Sequence, residues 1–322
     1  MVLRVNMRFI IIRNKKNESL MFLWFDIENN KQKWNDLLNK GYEYLFNNYA
    51  YLQLNKPGKS LLCGIISNNN ELKIGGIFHN NKQVFEIFMF PDCVSPDVSV
   101  RLFQWLKDND VNKVIIHSFA SGIEEYKHLT FKYSTTERLE FTTGEQYCSE
   151  LNKSSLHKTH RRTINRLEKQ ELQLIKINKN FFMHLVVSFI YKVKRKPYLL
   201  AGFRSVVKEI YQLIKLSKCL RLESEFVLYS IVDKKNKNLS YALLLESGDC
   251  AYYMMGASTD SGYKIRSSVY LMWLLLNKYC NDGVEFNMGG VNISSQSDKG
   301  VYQFKQQFSL SEHSRTSIQV EL

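Results

Sequence analysis

A continuous apolar run between Ser267 and Cys280 constrains the fold of this chain more than any other feature. Every residue from 269 to 276 is apolar, so a helix over this run would carry apolar side chains on all of its faces and would have to be buried in a domain core. The run is too short to cross a bilayer. Asn281-Asp-Gly283 predicts the end of the helix.

Short apolar runs on either side of this helix predict strands. Residues 241–246 and 250–255 are separated by a turn that contains glycine, which is typical of a β-hairpin. After the helix, residues 284–288 predict a third strand that runs into Gly289 and Gly290. Residues 300–308 then hold a single lysine, Lys305, between aromatic residues at helical spacing.

This order of elements resembles the C-terminal domain of the FemAB-like family of peptidoglycan-bridge and acyltransferase proteins, within the GCN5-related N-acyltransferase (GNAT) superfamily. The resemblance covers about residues 150–310. Its matching positions are Tyr252, Tyr253, Gly256, Ala257, Trp273, Phe286, Gly289, Gly290, Gly300, Phe304, Lys305 and Phe308. The resemblance implies an α/β (α+β) fold of tandem GNAT-like acyl-CoA N-acyltransferase domains, with mixed central sheets flanked by helices.

The length of the chain also predicts two domains, because 322 residues exceed what a single core usually holds. We place an N-terminal GNAT-like domain at 1–150 and a C-terminal one at 151–322. In the first half, a predicted meander within 61–90, a helix at 96–106 and a strand at 111–117 follow the order of elements in the second half. No residue-level repeat accompanies that order.

His117 stands at the end of the strand predicted at 111–117, where a histidine could serve as a general base. No partnering acid or nucleophile is visible near it in the sequence. A structural histidine is therefore the favoured interpretation.

The chain carries a formal net charge of +13, which favours an anionic partner such as RNA, a nucleotide diphosphate or an anionic membrane surface. A diffuse surplus of lysine from AT-rich coding explains the charge equally well. The six cysteines form no CxxC pair, so we expect buried, reduced thiols in a cytoplasmic protein, without disulfides or a metal site.

The most basic segment lies between the two halves and predicts a helix over 154–170 that opens the second domain. Its lysines and arginines recur three or four residues apart, so their charge gathers on one or two faces. Leu156, Ile164 and Leu167 would face the protein. Alternatively, the segment is a solvated basic face, with Glu168 and Glu171 as partial partners of its cations.

Arg161, Arg162 and Arg166 match the Arg-Arg-x-Ile-x-Arg pattern that members of the family often carry where their second domain begins. The resemblance implies that these arginines face the cleft between the domains and hold the phosphates of an acceptor or donor. A guanidinium suits that role because it donates two parallel hydrogen bonds to one phosphate.

The resemblance also implies a donor site between two parallel strands that splay apart, here those ending near Met255 and Met288. Donor phosphates commonly lie at the N-terminus of the intervening helix. The loop at 261–268 falls there, and its candidate ligands are Gly262, Lys264, Arg266 and Ser267. Its glycine precedes the basic residues, unlike the phosphate loop of coenzyme A users, so aminoacyl-tRNA stands beside acyl-CoA as a donor.

Lys305 is the candidate catalytic residue, since the resemblance places this lysine near the reacting carbonyl, where a cation could stabilise the developing oxyanion. Phe304, on the same motif, is a candidate substrate contact. We expect Tyr253, not Tyr252, to face the cleft, because neighbouring strand residues alternate in direction. Asn287 occupies a position where relatives often have aspartate, and its amide cannot act as a general base.

The sequence therefore predicts an N-acyltransferase of FemAB-like type that transfers an acyl or aminoacyl group to an amine, with a cell-wall precursor or polysaccharide as the candidate acceptor. Its candidate partners are a nucleotide-linked or lipid-linked sugar, tRNA or coenzyme A as donor carrier, and the surface of a membrane. Two alternatives stay open: a coenzyme A-dependent acetyltransferase acting on an amino sugar or small amine, and a non-catalytic basic module that binds RNA or anionic lipid. The acceptor and the oligomeric state are not predicted.

Overall fold

The computed structural model describes residues 10–13, 19–22, 25–26, 31–38, 46, 48–55, 61–66, 73–79, 82–87, 96–117, 131–143, 145–195, 203–292, 298–308 and 310–322. The chain forms two compact units. The first unit comprises Met1–Arg138 together with Ser314–Leu322, and the second comprises Leu139–His313.

Both units contain strands and helices. The strands are β1 (Ile10–Arg13), β2 (Ser19–Phe22), β3 (Phe25–Asp26), β4 (Leu61–Ile66), β5 (Lys73–His79), β6 (Val84–Ile87), β7 (Lys113–His117), β8 (Lys132–Thr142), β9 (Gln173–Lys176), β10 (Phe226–Val232), β11 (Asn238–Ser247), β12 (Cys250–Ser258), β13 (Glu285–Val291) and β14 (Ser311–Glu321). The helices are α1 (Lys31–Leu37), α2 (Tyr49–Asn55), α3 (Pro96–Asp108), α4 (Glu145–Glu150), α5 (Lys158–Glu168), α6 (Phe181–Arg195), α7 (Phe203–Leu222), α8 (Asp260–Ile265), α9 (Ser267–Asn281) and α10 (Lys299–Gln306).

The first unit is a mixed sheet in the order β3-β4-β5-β6-β7-β14. Strands β4 to β6 form the predicted antiparallel meander, and β6 runs parallel to β7. The amphipathic helix α3 buries Leu102, Phe103 and Leu106 against this sheet. Each such side chain contributes roughly 1.5–3 kcal/mol when fully buried.

The division of the chain differs from the predicted boundary at residue 150 in two places. Residues 139–150 belong to the second unit, where Phe141 is part of the core and Thr142 pairs with Asn287. The end of β14 returns to the first unit, where it pairs with β7 from Ser317 to Glu321. Both differences arise from pairing between residues far apart in the chain, which leaves no local signature in the sequence.

The second unit is a mixed sheet in the order β8-β13-β12-β11-β10-β9. The predicted hairpin is confirmed as β11 and β12, which pair antiparallel across a tight turn. The predicted buried helix is confirmed as α9, whose residues Leu271, Leu275 and Leu276 lie within the core. This helix buries apolar residues around most of its circumference, as its sequence requires.

Strands β12 and β13 are parallel neighbours for only three residue pairs. They pair from Cys250 with Glu285 to Tyr252 with Asn287. Beyond that point β12 stays paired with β11, and β13 pairs with β8. The two strands therefore separate in the second half of their length, and the predicted splayed pair is present.

His117 lies within a polar row on one face of the first unit's sheet. Its Nε2 lies 2.7 Å from Glu86 Oε1, and its Nδ1 lies 3.0 Å from Ser317 Oγ. His79 Nε2 lies 2.9 Å from the other oxygen of Glu86. An ionised carboxylate can only accept hydrogen bonds, so each histidine donates to Glu86. These contacts account for His117 as a structural residue.

Burial alone would raise the pKa of Glu86, but the hydrogen bonds from His117 and His79 outweigh it and lower this pKa to about 2. A carboxyl whose pKa is lowered by folding contributes stability above its unfolded pKa and loses that contribution as the pH falls towards its folded pKa. We expect Glu86→Gln to lower the free energy of unfolding at pH 7 by about 2–3 kcal/mol.

This loss should shrink between pH 4.5 and about 2 and can be measured by urea denaturation at several pH values. Glu321→Gln is a matched control, because Glu321 pairs with Lys113 on the same face but is half-exposed. Its effect should stay below about 1 kcal/mol. Equal losses for the two variants at pH 7 would contradict the role assigned to Glu86.

None of the helices that the structure describes is both long enough and apolar enough to cross a membrane. Among the described cysteines, Cys148, Cys219, Cys250 and Cys280 are free thiols. The described residues also contain no cluster of histidine, cysteine and acidic side chains that could hold a metal ion.

Candidate functional site

Lys305 lies beside β13, close to where that strand has separated from β12. Its side chain is only 5% exposed. The Nζ atom donates hydrogen bonds to the carbonyl oxygens of Gly289, at 2.6 Å, and Gly290, at 3.2 Å. An ammonium group has three protons, so two are committed to the protein and a third is available to another acceptor.

Gly289 explains how one ammonium reaches two consecutive carbonyls of a strand. Its φ of +78° lies in the left-handed region, where glycine alone is free of steric cost. The pairing of β13 with β8 shifts register between Asn287 and Gly290, which marks a bulge. The bulge interrupts the usual alternation of carbonyl directions and lets both oxygens face Lys305.

Asn287 connects this bulge to a buried acid. Its side-chain Oδ1 accepts a hydrogen bond from the Gly289 amide at 2.6 Å, and its Nδ2 donates to Glu140 Oε2 at 3.1 Å. The Asn287 side chain is 1% exposed. An aspartate here would place a second carboxylate against Glu140, whereas the amide supplies the donor that Glu140 needs. The asparagine is therefore a structural requirement of this site.

Burial lowers the pKa of Lys305 to about 8, while the charges of Glu140 and Asp298 act in the opposite direction. The ammonium is therefore mostly protonated at pH 7. It can release its proton in the range where general acids and bases work in enzymes.

Tyr252, and not Tyr253, has its hydroxyl beside Gly289. A Cβ atom built on Gly289 would lie 3.3 Å from the Tyr252 hydroxyl oxygen. Tyr253 packs against the apolar core of the second unit, and burial raises its pKa to about 12. The alternation along β12 was predicted, but the choice of Tyr253 for the cleft does not fit these contacts. We therefore assign Tyr252 to the site.

The segment predicted as a phosphate loop is the short helix α8 followed directly by α9. The Gly262 amide is already used, because it donates to Thr259 Oγ1 at 3.1 Å. Ser267 is fully buried, and its hydroxyl lies 2.5 Å from Ser240 Oγ. The Gly262 amide and the Ser267 hydroxyl are therefore engaged within the protein, whereas Lys264 and Arg266 are exposed. We retain only these two cations as candidate phosphate ligands.

The basic helix α5 spans 158–168, within the predicted 154–170, and its apolar residues Ile164 and Leu167 are buried as expected. Arg166 Nη2 donates to the carbonyl of Ile265 at 2.7 Å. This bond brings Arg166 next to Arg266 at the junction of α8 and α9. Three predicted ligands, Arg166, Lys264 and Arg266, are thus gathered in one region.

Arg161 and Arg162 lie earlier on the same helix. Arg161 Nη1 donates to the Ser154 carbonyl at 3.3 Å, and Arg162 is exposed. The acids proposed as their partners are engaged elsewhere: Glu168 pairs with Lys153 and Glu171 with Lys234. Within the described part of the chain, no acid pairs with Arg161, Arg162 or Arg166.

Phe304 is a packing residue of the interface between α10 and α5. Its ring lies 5.5 Å from that of His160 and 5.4 Å from that of Phe308. His160 Nε2 donates to the Phe304 carbonyl at 3.2 Å. Burial lowers the pKa of His160 to about 4, so this histidine is neutral at pH 7. These contacts fix α10 and thereby the position of Lys305.

The structure thus brings together Lys305 and Asn287. It adds Glu140, which the sequence did not single out, and Tyr252, where the sequence analysis favoured Tyr253. Nothing in the sequence indicated Glu140, because its strand contains a second acid, Glu137, and its partner Asn287 is far away in the chain. Tyr252 could have been found only by knowing the direction in which β12 presents its side chains.

The model of the FemAB family matches residues 211–311. The predicted resemblance is confirmed. The match includes the hairpin, α9, the bulge of β13 and Lys305. No curated protein matches the chain.

Solved structures share the fold over nearly the whole chain. A conserved protein of unknown function from Bacteroides thetaiotaomicron has a TM-score of 0.67 at 10% identity, covering 93% of this chain and 99% of its own. FemX has a TM-score of 0.62 at 11% identity, and the match covers 89% of this chain and 95% of the FemX chain. A third match is a C-terminal domain from Agrobacterium fabrum, described as that of a lysylphosphatidylglycerol synthetase. Its TM-score is 0.60 at 10% identity, and the match covers 91% of this chain and 93% of that domain. The predicted α/β fold class, with mixed sheets flanked by helices, is confirmed.

Proposed function

We propose that this protein is an N-acyltransferase of FemAB-like type, which transfers an acyl or aminoacyl group from a carrier to an amine. The observation that carries the proposal is the buried Lys305 ammonium, fixed by two carbonyls beside the gap between β12 and β13 and retaining a third proton. A cation held in this way is already oriented before the reaction, so it stabilises a developing negative charge without reorganisation.

In the proposed reaction, the nitrogen of the neutral acceptor amine attacks the donor carbonyl and forms a carbon–nitrogen bond. The electron pair of the carbonyl moves to oxygen, and the third N–H of Lys305 stabilises that oxyanion. The tetrahedral intermediate then collapses, the bond to the carrier's sulfur or oxygen breaks, and an amide forms. The proton lost by the amine leaves with the carrier or the solvent.

The other residues of the candidate site position Lys305 or bind substrate in this proposal. Glu140 and Asn287 hold the bulge that directs the Gly289 carbonyl to Lys305. Tyr252 lies beside Gly289 and is proposed to contact the substrate. Arg166, Lys264 and Arg266 are proposed to bind the phosphates of the donor or the acceptor, because all three are exposed at the junction of α8 and α9.

The donor is proposed to be either acyl-CoA or aminoacyl-tRNA, and the acceptor a nucleotide-linked or lipid-linked amino compound of a cell-wall or lipid precursor. FemX and the synthetase domain from Agrobacterium share the fold, which supports these candidate donors and acceptors. The α8–α9 junction supports the tRNA donor, because the Gly262 amide and the Ser267 hydroxyl are both engaged within the protein.

Titration calorimetry and a transfer assay test the proposal with both donors. The purified chain should bind aminoacyl-tRNA more tightly than acetyl-coenzyme A and should release deacylated tRNA when an amine acceptor is present. Preferred binding and turnover of acetyl-coenzyme A would select the acetyltransferase alternative. Binding of tRNA without acyl transfer to any amine would select the non-catalytic module.

The pKa of Lys305 makes a separate prediction about the pH dependence of transfer. If the protonated ammonium stabilises the oxyanion, kcat should fall as the pH rises through about 8. Lys305→Arg retains a positive charge at every accessible pH. The ratio of wild-type to Lys305→Arg kcat should therefore fall above pH 8, and this ratio cancels the titration of the amine. A ratio that rises with pH would instead show that Lys305 acts as a base.

A further inference from the structure

The outer surface of helices α6 and α7 is unusually apolar. Among the described residues, twelve large apolar side chains are exposed, and eight of them lie on these two helices with exposed fractions of 41 to 61%. The eight are Phe182, Met183, Ile190, Val207, Ile210, Tyr211, Ile214 and Leu222. We call this surface the α6–α7 face.

The α6–α7 face is separate from the side of α7 that packs against the second unit. On α7, Val207, Ile210, Tyr211 and Ile214 follow the spacing i, i+3, i+4, i+7 and so share one side of the helix. The opposite side buries its own apolar residues, Leu213, Leu216 and Leu220. Helix α7 thus has two apolar sides, of which only one packs against the unit. An exposed apolar surface of this kind marks an interaction site.

Basic side chains adjoin the apolar ones. Lys208, Lys218 and Arg221 are exposed on α7, and Lys215 Nζ lies 5.0 Å from the centre of the Tyr211 ring. The acid of α7 is Glu209, which is half-buried, and α6 has no acid in its sequence. The α6–α7 face therefore combines apolar groups with a net positive charge.

We propose that the α6–α7 face binds the surface of an anionic lipid membrane. Helices that lie in a membrane interface have an apolar side that enters the acyl boundary and lysines or arginines that contact anionic head groups. The long lysine stems can extend from the apolar zone to the head groups. Both features are present together on α7.

Other occupants fit this surface less well. A second copy of the chain would meet it through a two-fold contact, and that contact would bring lysines of like charge together. RNA would engage the lysines and stack on Phe182 or Tyr211, but it would leave the aliphatic side chains of Val207, Ile210 and Ile214 in water. The membrane interface uses the apolar and the basic groups at the same time.

The test is flotation of the full chain with vesicles. The wild type should bind vesicles of phosphatidylcholine mixed with phosphatidylglycerol and should bind vesicles of phosphatidylcholine alone at least about tenfold more weakly. Binding that is absent from both, or equal in both, would overturn the proposal.

Two paired variants separate the apolar and the electrostatic contributions. Ile210→Ser combined with Ile214→Ser should lower the partition coefficient about tenfold or more, whereas Val100→Ser combined with Val301→Ser, both exposed elsewhere, should leave it unchanged. Lys218→Glu combined with Arg221→Glu should lower it about tenfold or more. Lys235→Glu combined with Lys237→Glu makes the same change in net charge at an exposed loop and should have a smaller effect.

Equal losses in the test variants and their controls would overturn the assignment to the α6–α7 face. Light scattering of the free protein tests separately whether the chain forms a dimer. A dimer that dissociates in the Ile210→Ser, Ile214→Ser variant would show that a second copy covers this surface and would also overturn the proposal. Circular dichroism confirms that each variant is folded, as expected for substitutions at exposed positions.

Discussion

Lys305→Ala is expected to lower kcat for acyl transfer by about a hundred- to a thousandfold, the usual effect of removing one donor from an oxyanion site. The substitution removes the buried ammonium but leaves the proposed phosphate ligands Arg166, Lys264 and Arg266 in place. The dissociation constant of the donor should therefore change little. Single-turnover kinetics with a saturating donor measure the rate, and calorimetry measures the donor affinity.

Lys299→Ala is the matched control, because Lys299 is on the same helix, α10, but is exposed. Its kcat should remain near that of the wild type. Removing Lys305 also leaves the carbonyls of Gly289 and Gly290 without this donor, which costs about 1–3 kcal/mol for a buried acceptor. Lys305→Met, which retains most of the side-chain volume, therefore provides a second variant. Wild-type kcat in a folded variant of either kind would exclude the catalytic role.

Gly262→Ala is expected to destabilise the protein by more than about 3 kcal/mol, which is exceptional for a single substitution. A Cβ atom at this position would lie 1.9 Å from the carbonyl oxygen of Leu239 and 2.6 Å from Ser267 Oγ. The first of these atoms belongs to the backbone of β11 and cannot turn away. Helix α8 would have to move off the sheet and lose its cap from Thr259.

Gly300→Ala is the appropriate control, since no atom outside its immediate neighbours lies within 4 Å of the added Cβ. Alanine is favoured over glycine inside a helix by about 1 kcal/mol, so this variant should be unchanged or slightly more stable. Urea denaturation followed by circular dichroism measures both effects. A Gly262→Ala protein as stable as the wild type would mean that α8 does not pack on β11 as described.

The elements predicted best from the sequence are those whose pattern is local. The hairpin of β11 and β12 and the buried helix α9 are specified by apolar residues that are contiguous in the chain, and both form as predicted. The splay between β12 and β13 was expected only through the family resemblance. Its position follows from the register, which ends at Tyr252 and Asn287.

The features that sequence reasoning missed depend on contacts between distant residues. Glu140 became part of the site because β8 pairs with β13, and nothing distinguished it from Glu137 three residues earlier. The segment at 261–268 was predicted as a phosphate-binding loop because the family resemblance places the donor phosphates there. The cap from Thr259 and the close packing of Gly262 favour a helical turn there.

The return of β14 to the first unit has a consequence for the order of events during synthesis. The second unit is contiguous in the chain from Leu139 to His313 and has all its strands once His313 has left the ribosome. The first unit must wait for Ser314–Leu322, which supply the antiparallel neighbour of β7. Domains usually mature from the N-terminus during translation, but here the unit that is translated first is the last to complete its sheet.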